Sequence, residues 1–192
     1  MQYCDIVEKL EDIRAVYPNQ TIWELLDIFK IVVSFQDLSK CGKELKGFTF
    51  YMEGRFHIVI DLRLRDKVQQ AGAWHEFGHI INDADNLIAG ETYFDSQIDD
   101  DYEMRSMERN ANIFAAEGCI DDEEFMDLAQ YGYTARAIAS MLEVPYGYVI
   151  YKAKIMQEYG YKINLAEEPD SLCLQGDIYL SLIHISEPTR PL

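Results

Sequence analysis

From about Asp66 onward the apolar residues Val68, Ala71, Trp74, Phe77 and Ile81 recur at helical spacing, and the run His75-Glu76-Phe77-Gly78-His79 lies beside that stripe. Residues four apart on a helix are turned by about 40° and raised by about 6 Å, so His75 and His79 can face one point. Zinc takes neutral imidazole nitrogens and carboxylate oxygens in a tetrahedron that leaves one position open for water. Glu76 follows the first histidine directly, which brings its carboxylate to that water without making it a ligand. The spacing therefore predicts Zn2+ on His75 and His79, with Glu76 as catalytic general base. Gly72 and Gly78 leave room beside the motif for a sheet or a second helix. The competing reading is a buried helix with two solvated or hydrogen-bonded histidines.

A catalytic zinc needs a further protein ligand, a carboxylate or histidine from a later helix. Met104, Met107, Ala111, Phe114 and Ala115 mark the apolar face of the next long helix, and Glu108 falls inside it. A lone carboxylate there costs several kcal/mol unless it is paired, and a cation removes that cost. Pairing with Arg105 or Arg109, or snorkelling, is the alternative. Glu103 and Glu117 read as surface charges. Asn112, one turn after Glu108, and Asp83, one turn after His79, can each accept from the outer nitrogen of a ligand histidine; a packing amide and a solvated helix-end carboxylate are the competing readings. His57, alone on an alternating strand, reads as structural. Asp99-Asp100-Asp101 and Asp121-Asp122-Glu123-Glu124 lack the glycine-bearing calcium loop and stand where helices begin, where negative charge complements the helix dipole. Tyr93, Tyr102, Tyr131 and Tyr133 are equivalent candidates for a transition-state donor.

Around this motif the chain reads as α+β. Helices are predicted at residues 2–16 and Ile22–Phe29, the latter capped by Asn19 or Thr21. The β-branched run Ile31–Phe35 follows as a strand. Gly47–Met52 and Arg55–Ile60 form a hairpin about Glu53-Gly54. Further helices are predicted at roughly Asp101–Glu117, Asp122–Ala129, Ala135–Leu142 behind Thr134, and Tyr146–Tyr161 after Val144-Pro145. The expected architecture is a small antiparallel or mixed three-stranded sheet against the motif-bearing helices, with a helical C-terminal part.

At 192 residues the chain suits one domain, taken as residues 1–179 with its active core at about 22–161. A net charge of −17 argues against direct binding to nucleic acid or to an anionic membrane surface. The four cysteines form no CxxC pair, which suits a reducing compartment, and no apolar run approaches membrane-spanning length. A cytoplasmic location is expected. Residues 180–192 contain LSLIHISEPTR, the translation of a transposase adapter used in sequencing libraries; the stretch is expected to be read-through rather than native sequence, with His184 functionless.

His75-Glu76-Phe77-Gly78-His79, followed by Glu108-Arg109-Asn110-Ala111-Asn112-Ile113-Phe114-Ala115-Ala116-Glu117, resembles the HELGH and ExxANxFAAELL signatures of ImmA/IrrE metallopeptidases. TIWELLDIFKIVVSF, the hairpin ending in IVID, and YTARAIASMLEVPYGYV are similar to the same family. The resemblance implies a zincin-type, gluzincin-like site with His75, His79 and Glu108 on zinc and Glu76 catalytic. It also implies a protein substrate, a helix-turn-helix repressor, in the manner of stand-alone anti-repressors of mobile elements or of stress regulators. The departure is Gly118-Cys119-Ile120, where the family continues with an apolar LLMP-like run. Two other readings compete: a metal-dependent module that sequesters a repressor without cutting it, and a purely structural helical domain.

Overall fold

The structure is a computed structural model, and it describes residues 3–41, 45–90, 93–94 and 102–163. The expected adapter stretch, Cys173 and Asp99–Asp101 lie outside the described residues, as do the side chains of Tyr93, Tyr102, Glu103, Met104 and Arg105.

Two helices open the fold. α1 (Tyr3–Val16) buries Ile6, Val7 and Leu10, and α2 (Ile22–Ile28) buries Ile22, Leu25 and Leu26. Of the two expected caps, Thr21 is the one used. Its hydroxyl accepts from the Glu24 N–H at 3.3 Å, and Glu24 accepts from the Thr21 N–H at 2.8 Å, a reciprocal cap worth about 1 kcal/mol.

The sheet is mixed. β1 (Val32–Gln36) runs parallel to β3 (Arg55–Asp61), which pairs antiparallel with β2 (Gly47–Met52). The β2–β3 connection is the expected two-residue turn: Met52 pairs with Arg55, while Glu53 (φ 50°) and Gly54 (φ 78°) both adopt the left-handed conformation that suits strand twist. To the three expected strands the structure adds a fourth, the two-residue β4 (Tyr93–Phe94), beside Thr49 and Phe48. The sheet order is β1-β3-β2-β4.

Asp61 ends β3 and shapes the turn into the next helix. It accepts from the Arg63 N–H at 3.0 Å and from Arg63 Nε at 2.9 Å. The Arg63 side chain holds its carboxyl below the usual aspartate range. From that turn α3 (Asp66–Ile88) crosses the sheet, with Gly72 against Ile60, and packs on α4 (Tyr102–Cys119). α5 (Asp122–Gln130), α6 (Ala135–Leu142) and α7 (Tyr146–Glu158) complete the helical part. The carboxyl of Asp121 accepts from the Glu124 N–H at 3.0 Å, so this end of the acidic run caps α5 as expected. Among the described residues Cys4, Cys41 and Cys119 are free thiols, and no helix is long and apolar enough to cross a membrane.

One expectation fails. Glu117 is not a surface charge: it is 6 % exposed. α4 packs against α1, α3 and α7, so its buried surface extends all round between Ala111 and Glu117 rather than along one stripe. The buried Lys152 of α7 reaches Glu117 at 2.7 Å and also pairs with Asp122, while Arg14 of α1 approaches Glu117 at 3.3 Å. Burial nonetheless pushes the Glu117 carboxyl above its ordinary range.

Candidate active site

α3 and α4 pack closely enough to share one polar centre because Gly78 has no side chain. A β-carbon there would lie 3.1 Å from both Cα and O of Ala111 and 3.2 Å from Phe114 Cβ. Beside this contact Phe77 and Phe114 meet edge to face, with centroids 5.7 Å apart. The same approach brings Glu108 of α4 to the two histidines of α3, and all three side chains are buried.

His75 Nε2 and His79 Nε2 are 3.1 Å apart, and the two carboxylate oxygens of Glu108 stand 3.3 Å from His75 Nε2 and from His79 Nε2. Metal–ligand bonds of about 2.0–2.1 Å in a tetrahedron require ligand atoms about 3.3 Å apart, so the spacing fits a zinc-sized ion. The electrostatics point the same way. A neutral histidine that donates from Nδ1 presents a lone pair at Nε2, and two such nitrogens facing a carboxylate are an arrangement that a cation stabilises. Burial alone would lower the His79 pKa, but Glu108, Asp83 and Glu76 raise it well above the ordinary value. Burial likewise acts to raise the Glu108 pKa, and the two imidazoles override it and hold the carboxyl far below the usual range. This is the cluster among the described residues whose donor atoms can hold a metal. Arg109, offered as a competing partner for Glu108, instead places its guanidinium 4.5 Å over the Tyr3 ring.

Of the two expected neighbours, Asn112 stands at hydrogen-bond distance from His75, whereas Asp83 stands at ion-pair distance from His79. His75 Nδ1 lies 3.0 Å from Asn112 Oδ1, and His79 Nδ1 lies 3.8 Å from Asp83 Oδ2. Glu76, 4 % exposed, directs Oε1 toward the start of β2, where a β-carbon on Gly47 would stand 3.4 Å from it. His57 stacks flat on Phe50 across the hairpin at 4.9 Å, in keeping with a structural role. Tyr131 is 80 % exposed in the α5–α6 turn, and Tyr133 packs at the edge of the core.

Three features escaped the reading of the sequence. Gly47 is one; a lone glycine at the start of a strand was its only signal. The second is a break in α3 at Asp83 (φ −133°, ψ 27°), where Asn82 Nδ2 donates to the Gly78 carbonyl at 2.8 Å. The run Asn82-Asp83-Ala84-Asp85-Asn86, rich in side chains that compete for backbone hydrogen bonds, was the available sign. The third is Gly118, where a β-carbon would come within 2.4 Å of the Trp74 ring. Trp74 thus explains why the chain departs from the expected apolar run at that position.

Comparison with curated proteins finds no match. The profile of Peptidase_M78, the IrrE N-terminal-like domain, matches residues 26–154, from within α2 to within α7, and so takes in the strands and both helices of the polar centre. A match over more than half of the sequence, together with the buried two-histidine, one-glutamate centre, establishes that the chain belongs to the Peptidase_M78 family of metallopeptidases.

Proposed function

We propose that this protein is a zinc-dependent endopeptidase in which His75, His79 and Glu108 hold the metal, Glu76 is the general base, and the substrate is a helix-turn-helix transcriptional repressor in the cytoplasm. The observation that carries the reading is the convergence of two imidazole nitrogens 3.1 Å apart on a carboxylate with one oxygen 3.3 Å from each, with Glu76 on the adjoining residue. Zinc held there supplies the Lewis acidity that polarises a peptide carbonyl. Glu76 takes a proton from the attacking water and delivers it to the amide nitrogen as the C–N bond breaks, releasing a carboxyl and an amine terminus. Burial of Glu76 keeps bulk water from competing for that proton.

A repressor substrate is supported by the family resemblance and is consistent with the charge of the chain. At −17 this protein is poorly suited to bind DNA itself, so an effect on transcription would pass through a protein partner. The test is co-expression with a helix-turn-helix regulator from the neighbouring genes, comparing wild type with Glu76→Gln and analysing fragments by mass. The amide keeps the shape and loses the base, so the variant should retain metal and leave the repressor whole. If both proteins relieve repression while the repressor stays intact, the protein acts by sequestration and the peptidase reading falls. If the variant still cuts, the general base is another residue.

A further inference from the structure

For a histidine to bind a cation through Nε2, that nitrogen must carry the lone pair, and the neutral ring then carries its proton on Nδ1. Each ring therefore needs an acceptor behind it, or its tautomer and its aim are left open. The two rings here have different neighbours, one at hydrogen-bond distance and one at ion-pair distance. Behind His75 stands Asn112 of α4, buried, with Oδ1 3.0 Å from Nδ1; only the amide oxygen can receive an Nδ1–H. Behind His79 stands Asp83 of its own helix, with Oδ2 3.8 Å from Nδ1.

Asp83 owes its place to the break in α3. Gly78, inside the histidine motif, offers its carbonyl to the Asn82 side chain at 2.8 Å, and Lys9 of α1 holds the other end of that amide at 2.9 Å. The chain then leaves helical geometry at Asp83 itself, with the carboxylate facing His79. An amide bridging a helix carbonyl to a lysine of another helix stabilises a bend that would otherwise cost a backbone hydrogen bond.

We infer that Asn112 and Asp83 are positioning residues that lock His75 and His79 in the Nδ1–H form and aim both Nε2 lone pairs at one ion, Asn112 by a direct hydrogen bond and Asp83 through the helix break that Asn82 supports. This rests on the reading of His75 and His79 as metal ligands. Asn112 makes the closer contact and carries the larger share.

The test is zinc affinity by chelator competition, with the visible spectrum of the Co2+-loaded full chain as a second readout. Asn112→Leu should weaken zinc binding roughly 10- to 100-fold and shift the cobalt bands, whereas Asn112→Asp, which keeps an acceptor oxygen, should bind close to wild type. Asp83→Leu should show a smaller loss that Asp83→Asn recovers. A loss confined to packing would lower the melting temperature of the metal-free protein without being rescued by the acceptor-retaining variant. If Asn112→Leu does not fold, the partly buried position 83 decides the matter in the same assays. Wild type that binds neither metal overturns the ligand reading and this inference together. Wild type that binds, with leucine variants of equal affinity and unchanged cobalt spectra, overturns this inference alone.

Discussion

Gly47 lies directly against Glu76: a β-carbon on the glycine would sit 3.4 Å from Glu76 Oε1, 3.0 Å from the Val59 carbonyl and 3.2 Å from Ile60 Cδ1. The first residue of β2 therefore acts as a spacer for the carboxylate that we read as the general base. Gly47→Val should keep one metal per chain while lowering peptidase kcat on the order of 100-fold, since a displacement of about 1 Å at a reacting group costs that much. Parallel measurement of metal content and turnover checks this. Full activity in a folded variant would show that the spacing is incidental.

Metal removal has its own signature. Zinc bound to the folded chain and not to the unfolded one stabilises it by about 4 kcal/mol when free zinc is about 1,000 times the dissociation constant. Treatment with a chelator should therefore lower the melting temperature by several degrees. His75→Ala combined with His79→Ala should contain no zinc by elemental analysis, and its melting temperature should not respond to the chelator.

Gly118 and Trp74 form a matched pair, because a β-carbon at 118 would lie 2.4–2.9 Å from the indole. Gly118→Leu should destabilise the fold by about 1–3 kcal/mol through overpacking. Trp74→Leu alone should cost a comparable amount or more by opening a cavity. Denaturant titration of the double variant should give less than the sum of the single losses, the mark of two residues sharing one volume.

Asp61 supplies a pH dependence whose sign can be stated. The Arg63 side chain lowers its pKa below the ordinary 3.8, so the folded state binds fewer protons there than the unfolded state. The resulting stability is fully present above the unfolded value and is lost as pH falls through the folded one. Asp61→Asn should cost about 1 kcal/mol at neutral pH, a modest figure because Arg63 is half-exposed, and the difference from wild type should shrink below about pH 4. Chemical denaturation at several pH values gives the comparison.

The elements set by local chemistry were readable along the chain. The Glu53-Gly54 turn and the boundaries of α6 depend on residues adjacent in sequence, and the structure places them as expected, while of the two expected caps of α2 it uses Thr21. The histidine pair and Glu108 were readable for a related reason: helical spacing puts two imidazoles on one face, and a carboxylate within an apolar stripe demands a partner. What the sequence could not decide concerns neighbours brought from far along the chain. Glu117 looked exposed because its own helix showed one apolar face, yet α1 and α7 cover the opposite one and bring Arg14 and Lys152 to it. Gly47 and Gly118 matter only because Glu76 and Trp74 arrive beside them, and the break at Asp83 is supported by Lys9 from the first helix through Asn82. Periodicity encodes which way a side chain faces, whereas the identity of what it meets is settled only when distant segments pack into the same volume.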